Sequence, residues 1–231
     1  MFGATKPTRS EFVAEFGDVV HDLPAFLVAP LVRPWHLRWG AHPGEVAAGL
    51  PGDDFLARAQ FRSTRAITIK APPACVWPWL VQVGCLRGGF YSNDLLDNLG
   101  QPSATEIVPR LQHLEVGQWV PMSPSSNPND TTAFRVHSYE VERWLLWAKP
   151  DSTWCWQLTP VGVDSTRLVT RVRAVYNWRR PVSALFGALL MEFGDFAMQR
   201  RMLRGIRARA ESLAATPSRS GPTMHAVGAE R

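Results

Sequence analysis

Residues 64–84 read TRAITIKAPPACVWPWLVQVG, a strand that runs through a double proline into an amphipathic helix. Ile67 and Ile69 alternate with Thr68 and Lys70, the period of two expected when one strand face is buried and the other wet. Pro72 and Pro73 end the ladder, because proline has no N–H to donate, yet their fixed φ suits a first helical turn. Val76, Trp79, Leu80 and Val83 then fall on one helical face, and Gly84 is placed to end the helix. Pro78 is expected to loosen the second turn.

Outward from this block the chain divides unevenly. Upstream, prolines recur at 7, 24, 30, 34, 43 and 51, leaving room only for short helices, one of them at residues 11–20. Residues 1–62 therefore read as an N-terminal extension, expected to pack on the domain and bury Trp35 and Trp39. Downstream, residues 88–100 form a loop into a short helix, with Ser92, Asn93 or Asp94 to cap it. A strand at 117–122 and a polar loop at 123–132 precede strands at 133–137, 141–148, 153–161 and 166–176, joined by short turns that suit an antiparallel meander. A helical stripe opens at Pro181, breaks at Gly194 and resumes at Asp195, with arginines toward its C-terminal end. Residues 63–213 thus form one α+β domain, and residues 214–231 read as a disordered tail.

Composition narrows the function classes. The chain has 231 residues and a formal charge of +5, with much of the basic excess in the late helix and near the termini, which argues against a nucleic-acid partner. Cys75, Cys85 and Cys155 form no C-x-x-C pair and read as reduced thiols, and no secretory signal precedes them, so a cytoplasmic location is expected. The apolar stretches at 23–32 and 182–191 are too short to span a bilayer but long enough to touch one, which keeps peripheral membrane contact as an alternative. No metal, nucleotide or nicotinamide pattern appears, and no cofactor is expected.

The strand, the helix opening with APP and carrying V-W-x-W-L, the meander and the long closing helix resemble the helix-grip fold of the SRPBCC, START-like or polyketide cyclase superfamily. RWGA at 38–41, LPGDD at 50–54, RGGFYSNDLLDN at 87–98, SATEIVPRLQHLEVGQWVPM at 103–122 and EFGDFAMQRRMLRGIRARAE at 192–211 are similar to an actinobacterial-type branch of it. The resemblance implies a curved antiparallel sheet wrapped around the closing helix, with a cavity between them for a small hydrophobic molecule such as a lipid, polyketide or aromatic metabolite. It carries over no catalytic residues, and Ala74 and Cys75 stand where relatives often have an acidic residue.

Candidate site residues follow from residue type and placement. Five of the ten tryptophans, Trp119, Trp144, Trp147, Trp154 and Trp156, lie in expected strands. Trp154 and Trp156 share a face, whereas Trp144 and Trp147 must point oppositely. Trp119, Phe134, Trp147, Trp154, Trp156 and, from the last helix, Phe196 are taken as cavity-lining candidates, with Phe90, Tyr91 and Asp94 from the glycine-rich loop. Were the domain a cyclase or dehydratase, Tyr91, Asp94 or His137 would orient a keto group and move the proton.

Overall fold

The computed structural model describes residues 32–216 apart from 57, 124–126, 180, 190 and 192–193. The helix expected at 11–20, most of the 23–32 stretch and nearly all of the tail lie outside the described residues. Strand β1 (Phe61–Ile69) leads through Pro72 into α3 (Pro73–Val81), preceded in the extension by α1 (Arg33–His36) and α2 (Pro43–Ala47). Pro78 stays inside α3, which is unbroken around it. A short α4 (Asp94–Asp97) follows, then β2 (Trp119–Pro121), β3 (Ala133–Glu140), β4 (Trp144–Lys149), β5 (Ser152–Pro160), β6 (Thr166–Ala174), α5 (Pro181–Leu189) and the closing helix α6 (Asp195–Ala215). The strand begins at Phe61, and α6 runs two residues beyond the expected end of the domain.

All six strands form one antiparallel sheet in the order β1-β6-β5-β4-β3-β2. The first strand in sequence pairs with the last, which leaves β1 and β2 as edges. β1 is covered by the extension, whose Leu37 and Trp39 carbonyls accept the Thr64 and Ala66 N–H groups at 2.8 and 3.1 Å. Trp35 departs from expectation: it remains 54% exposed, its ring edge-on to Phe196, while the ring of the neighbouring His36, which meets Phe196 as well, is the buried one of α1. Trp39 is half-buried beneath the guanidiniums of Arg200 and Arg204.

Strand alternation gives the sheet two different faces. On the inner one, Ile67, Ile69, Leu145, Trp147, Trp156, Leu158 and Leu168 share a core with Val76 and Leu80 of α3 and with Met202, Leu203 and Ile206 of α6. Gly194 makes no side-chain cap for α6, whereas the fully buried Leu203 and Ile206 each contribute about 1.5–3 kcal/mol, so packing holds this helix rather than its end. On the outer face Ala66, Leu146, Cys155 and Val169 receive Leu50 of the extension.

That extension is fastened by arginines at alternate positions of β6. Arg167 holds the Glu45 carboxylate through Nε at 2.7 Å and Nη2 at 2.8 Å. Arg171, 1% exposed at its side chain, donates to Thr64 Oγ1, to the carbonyls of Glu45, Val46 and Ala48, and to Asp53. Arg173 reaches the other Asp53 oxygen at 2.9 Å and the Leu56 carbonyl at 2.6 Å. The LPGDD turn is thus an anchor for the strap across the outer face.

Candidate ligand site

The meander register sets two adjacent rows of inward side chains. One row runs Arg65, Thr170, Trp156, Leu145, and the next Ser63, Val172, Trp154, Trp147, Val136. Trp154 and Trp156, two residues apart on one face, stack at 4.9 Å between centroids, and Trp147 meets both edge-on at 5.5 and 5.7 Å. Phe134, also inward, adds its ring at 6.2 Å from Trp154. Edge-to-face and offset pairs of this kind suit the ring quadrupoles. The Trp154 N–H donates to Thr170 Oγ1 at 2.8 Å. By contrast, the buried N–H groups of Trp147 and Trp156 have no acceptor among the described residues. Trp154 is the half-buried ring, and it touches both the main core and a second cluster of Phe61, Val172, Ala174, Tyr176 and Met191.

On the same face of the sheet lies a buried ion pair. Arg65, with a side chain 0% exposed, gives Nη1 to Asp195 Oδ2 at 2.6 Å and Nε to the His36 carbonyl at 2.8 Å. Its Nη2 has no partner among the described residues, and the Phe196 ring centroid lies 5.5 Å from its guanidinium carbon. Asp195 opens α6, at the positive end of the helix dipole, and its other oxygen accepts from Gln199 Nε2 at 2.7 Å. Asp195 is therefore spent on Arg65 and Gln199 rather than capping the helix. Sequence reasoning missed Arg65, Asp195 and Gln199, yet a signal was present: Ser63 and Arg65 share the parity of Ile67 and Ile69, and so had to face the core.

The loop candidates serve a different end. Tyr91, at φ 55°, is buried, donates its hydroxyl to the Trp79 carbonyl at 3.1 Å and its N–H to Ser103 Oγ at 3.0 Å, and lies under the Arg209 guanidinium at 4.5 Å. Burial pushes its phenol pKa far above the usual value, which keeps the proton on the oxygen. A Cβ at Gly205 would stand 2.2 Å from the Tyr91 carbonyl oxygen, so α6 seats directly on this loop only because that position is glycine. Asp94 accepts the Ser103 N–H at 2.8 Å and the Ser103 hydroxyl, and Phe90 is buried in the main core. His137 occupies the bulge of β3 on the outer face, exposed, with the Phe55 ring 5.5 Å away. Trp119 likewise faces outward, stacked under Arg135 at 3.7 Å. Phe134, Trp147, Trp154 and Trp156 are thus brought together, Phe196 lies against Arg65, Trp35 and His36, Tyr91 ties the loop to α3 and α6, Asp94 ties it to Ser103, and Phe90 joins the main core. The three residues a cyclase or dehydratase would use do not converge.

Between the sheet and α6, where a cavity was expected, Trp147 and Trp156 share one buried core with Met202, Leu203 and Ile206. Two cavities lined by described residues lie outside that interior. One, of about 450 Å³, is bounded by Phe55, Val116, Arg135, His137, Lys149 and Pro150. The other, of about 250 Å³, sits where Leu37, Arg38 and Val46 of the extension meet Arg62 and Thr64. No group of His, Cys, Asp and Glu among the described residues is arranged to hold a metal ion. No helix among them is long and apolar enough to cross a membrane.

The strand order and the placement of the closing helix across the inner face define an α+β domain of helix-grip architecture. No family model and no curated protein matches the sequence. Solved structures similar to it include a conserved protein of unknown function from Enterococcus faecalis, at 14% identity, covering 73% of this chain and 85% of that one with a TM-score of 0.36. A Polyketide_cyc-like protein from Corynebacterium glutamicum matches at 15% identity over 67% and 89% of the two chains, TM-score 0.33. A protein from Nitrosomonas europaea matches at 16% identity over 66% and 95%, TM-score 0.41.

Proposed function

We propose that this domain binds a small hydrophobic molecule, such as a lipid, polyketide or aromatic metabolite, between the inner face of the sheet and the closing helix. The observation that carries the reading is the cluster of Phe134, Trp147, Trp154 and Trp156 on that face, two of whose indole N–H groups are buried without an acceptor among the described residues. Entry is at Trp154, the half-buried ring at the seam between two apolar clusters. The neutral fluorophore N-phenyl-1-naphthylamine tests it. Its emission should rise saturably at one probe per chain, with loss in a Trp154→Lys variant whose circular dichroism is unchanged. A folded protein that leaves the probe's emission unaltered would remove the proposal.

A second reading, peripheral contact with a membrane, is favoured by α5. Val182, Leu185 and Leu189 are exposed at helical spacing on the side opposite buried Ala184, exposed Trp178 precedes them, and no charged residue lies within the helix. Exposed Arg179 stands at the start, where it would meet anionic headgroups. Flotation with phosphatidylcholine vesicles containing phosphatidylglycerol should carry the protein upward, and Leu185→Glu should abolish this. Protein that stays at the bottom of the gradient with both wild type and variant overturns the reading.

A further inference from the structure

We propose a second binding site, on the opposite side of the sheet from the aromatic cluster: the crevice between the extension and β1 takes a phosphate monoester, held by Arg38, Arg62 and Thr64. The crevice shares no lining residue with that cluster or with α5, so it stands or falls apart from both earlier readings.

This crevice, of about 250 Å³, is lined by Leu37 and Arg38 just after α1, by Val46 of α2, and by Arg62 and Thr64 of β1. Its two walls are fixed to the same strand. The Leu37 carbonyl accepts the Thr64 N–H at 2.8 Å, and the Val46 carbonyl accepts from Arg62 Nη2 at 2.9 Å. A site held in this way before anything binds loses little freedom on binding. What its polar side chains offer is donors. The Arg38 side chain makes no hydrogen bond or ion pair among the described residues, and Arg62 makes only the bond to Val46, leaving Nε and Nη1 uncommitted there. Thr64, 2% exposed, accepts from Arg171 Nε at 2.9 Å, and its own hydroxyl proton has no acceptor among the described residues. No carboxylate lines the crevice. Glu45 and Asp53 of the strap are already held by Arg167, Arg171 and Arg173.

Charge and volume choose the anion. Two guanidiniums without a counter-ion match a phosphate monoester, which carries about 1.5 to 2 negative charges near neutral pH, better than they match a monoanion. Arginine forks suit its oxygens, and the Thr64 hydroxyl supplies a further donor from the strand. Burial lowers the Arg171 pKa, Asp53 opposes this, and the Arg62 charge lowers it further, a repulsion that a bound dianion relieves. A phosphate group alone would leave much of the volume empty, and Leu37 and Val46 provide an apolar wall for a short carbon stem. The same monoester is found on small metabolites and on phosphatidate, so the test has one arm for each source.

Calorimetry of the whole chain with sn-glycerol 3-phosphate reads the soluble source, and flotation with phosphatidylcholine vesicles containing phosphatidate reads the lipid one. In the calorimetric arm one saturable site per chain should appear, about tenfold tighter than for propane-1-sulfonate, a monoanion with a similar set of oxygens. In the arm that binds, Arg38→Gln and Arg62→Gln should each weaken binding about tenfold. Arg207→Gln removes an exposed charge of α6 outside the crevice and should leave binding unchanged. Because Arg38 is not bonded to the described chain through its side chain, its variant should unfold at the wild-type urea midpoint and so reports on the site alone. Absence of binding in both arms, sulfonate binding as tightly as the phosphate, binding that survives Arg38→Gln, or equal losses in all three variants overturns the proposal.

Discussion

Arg171 and Arg65 stand on adjacent strands, one residue apart in register, on opposite faces of the same sheet. Both side chains are almost fully buried, and they are used in contrasting ways. Arg171 places its Nε, Nη1 and Nη2 on five different residues, an arrangement with no donor nitrogen left idle. Arg65 commits Nε and Nη1 and leaves Nη2 without a partner among the described residues, on the sheet face that also carries two indoles in the same condition. A saturated guanidinium is a fastener, since every bond it makes is to this chain. An unsaturated one in the buried interior holds bonding capacity that the described residues do not consume.

This contrast can be broken most forcefully at Arg171. Arg171→Met should destabilise the protein by about 3–5 kcal/mol in urea unfolding, because five acceptors lose a bond at once and the Glu45 and Ala48 carbonyls are left bare, although Asp53 keeps Arg173 and the Leu50 N–H. Arg65→Met should cost less, about 2–3 kcal/mol, since Asp195 keeps Gln199 and the helix dipole, and adding Asp195→Leu should recover most of the loss. Equal costs for the two single variants would show that saturation carries no energetic weight.

The strap sharpens the comparison through pH. The Arg167 hydrogen bond holds the Glu45 carboxyl below its ordinary 4.5, outweighing burial. Burial pushes Asp53 up, but the Leu50 N–H and the charges of Arg173 and Arg171 overcome it and hold the group below its ordinary 3.8. Both folded values are depressed, so their stabilisation is present above the unfolded values and is lost as pH falls below 4.5 and 3.8 through the folded ones. Unfolding midpoints measured from pH 6 to pH 2 should decline in that window, and Glu45→Gln with Asp53→Asn should flatten the decline. The smallest effect concerns the thiols. Burial raises all three thiols, Cys155 to about 12, but Cys75 is the half-buried one and the other two are buried, so a thiol reagent at pH 8 should label Cys75 first.

Much of the architecture was legible because it is written in local periods. Ile67 and Ile69 gave the buried face of β1, the APP turn gave the entry to α3, and the short turns after β4 and β5 gave the meander. The parity of Trp154 with Trp156, and the opposition of Trp144 to Trp147, emerged as read. The site was legible only in part. Trp119 and His137 could not be placed, since their face depends on strand pairing and on a bulge in β3. Tyr91 and Asp94, which read as reactive, turned out to be tied to Trp79 and Ser103, partners 12 and 9 residues away.

The sequence by itself determined the order of elements, the two-faced sheet and the aromatic character of its inner side, because alternation and helical spacing are properties of neighbouring residues. Only the tertiary structure decided how each buried polar group was spent. Arg65 meets Asp195 across 130 positions and Arg171 meets Asp53 across 118, and no local pattern specifies contacts at that separation. Hydrogen-bond saturation is a property of the closed fold, set by which distant atoms arrive and which do not.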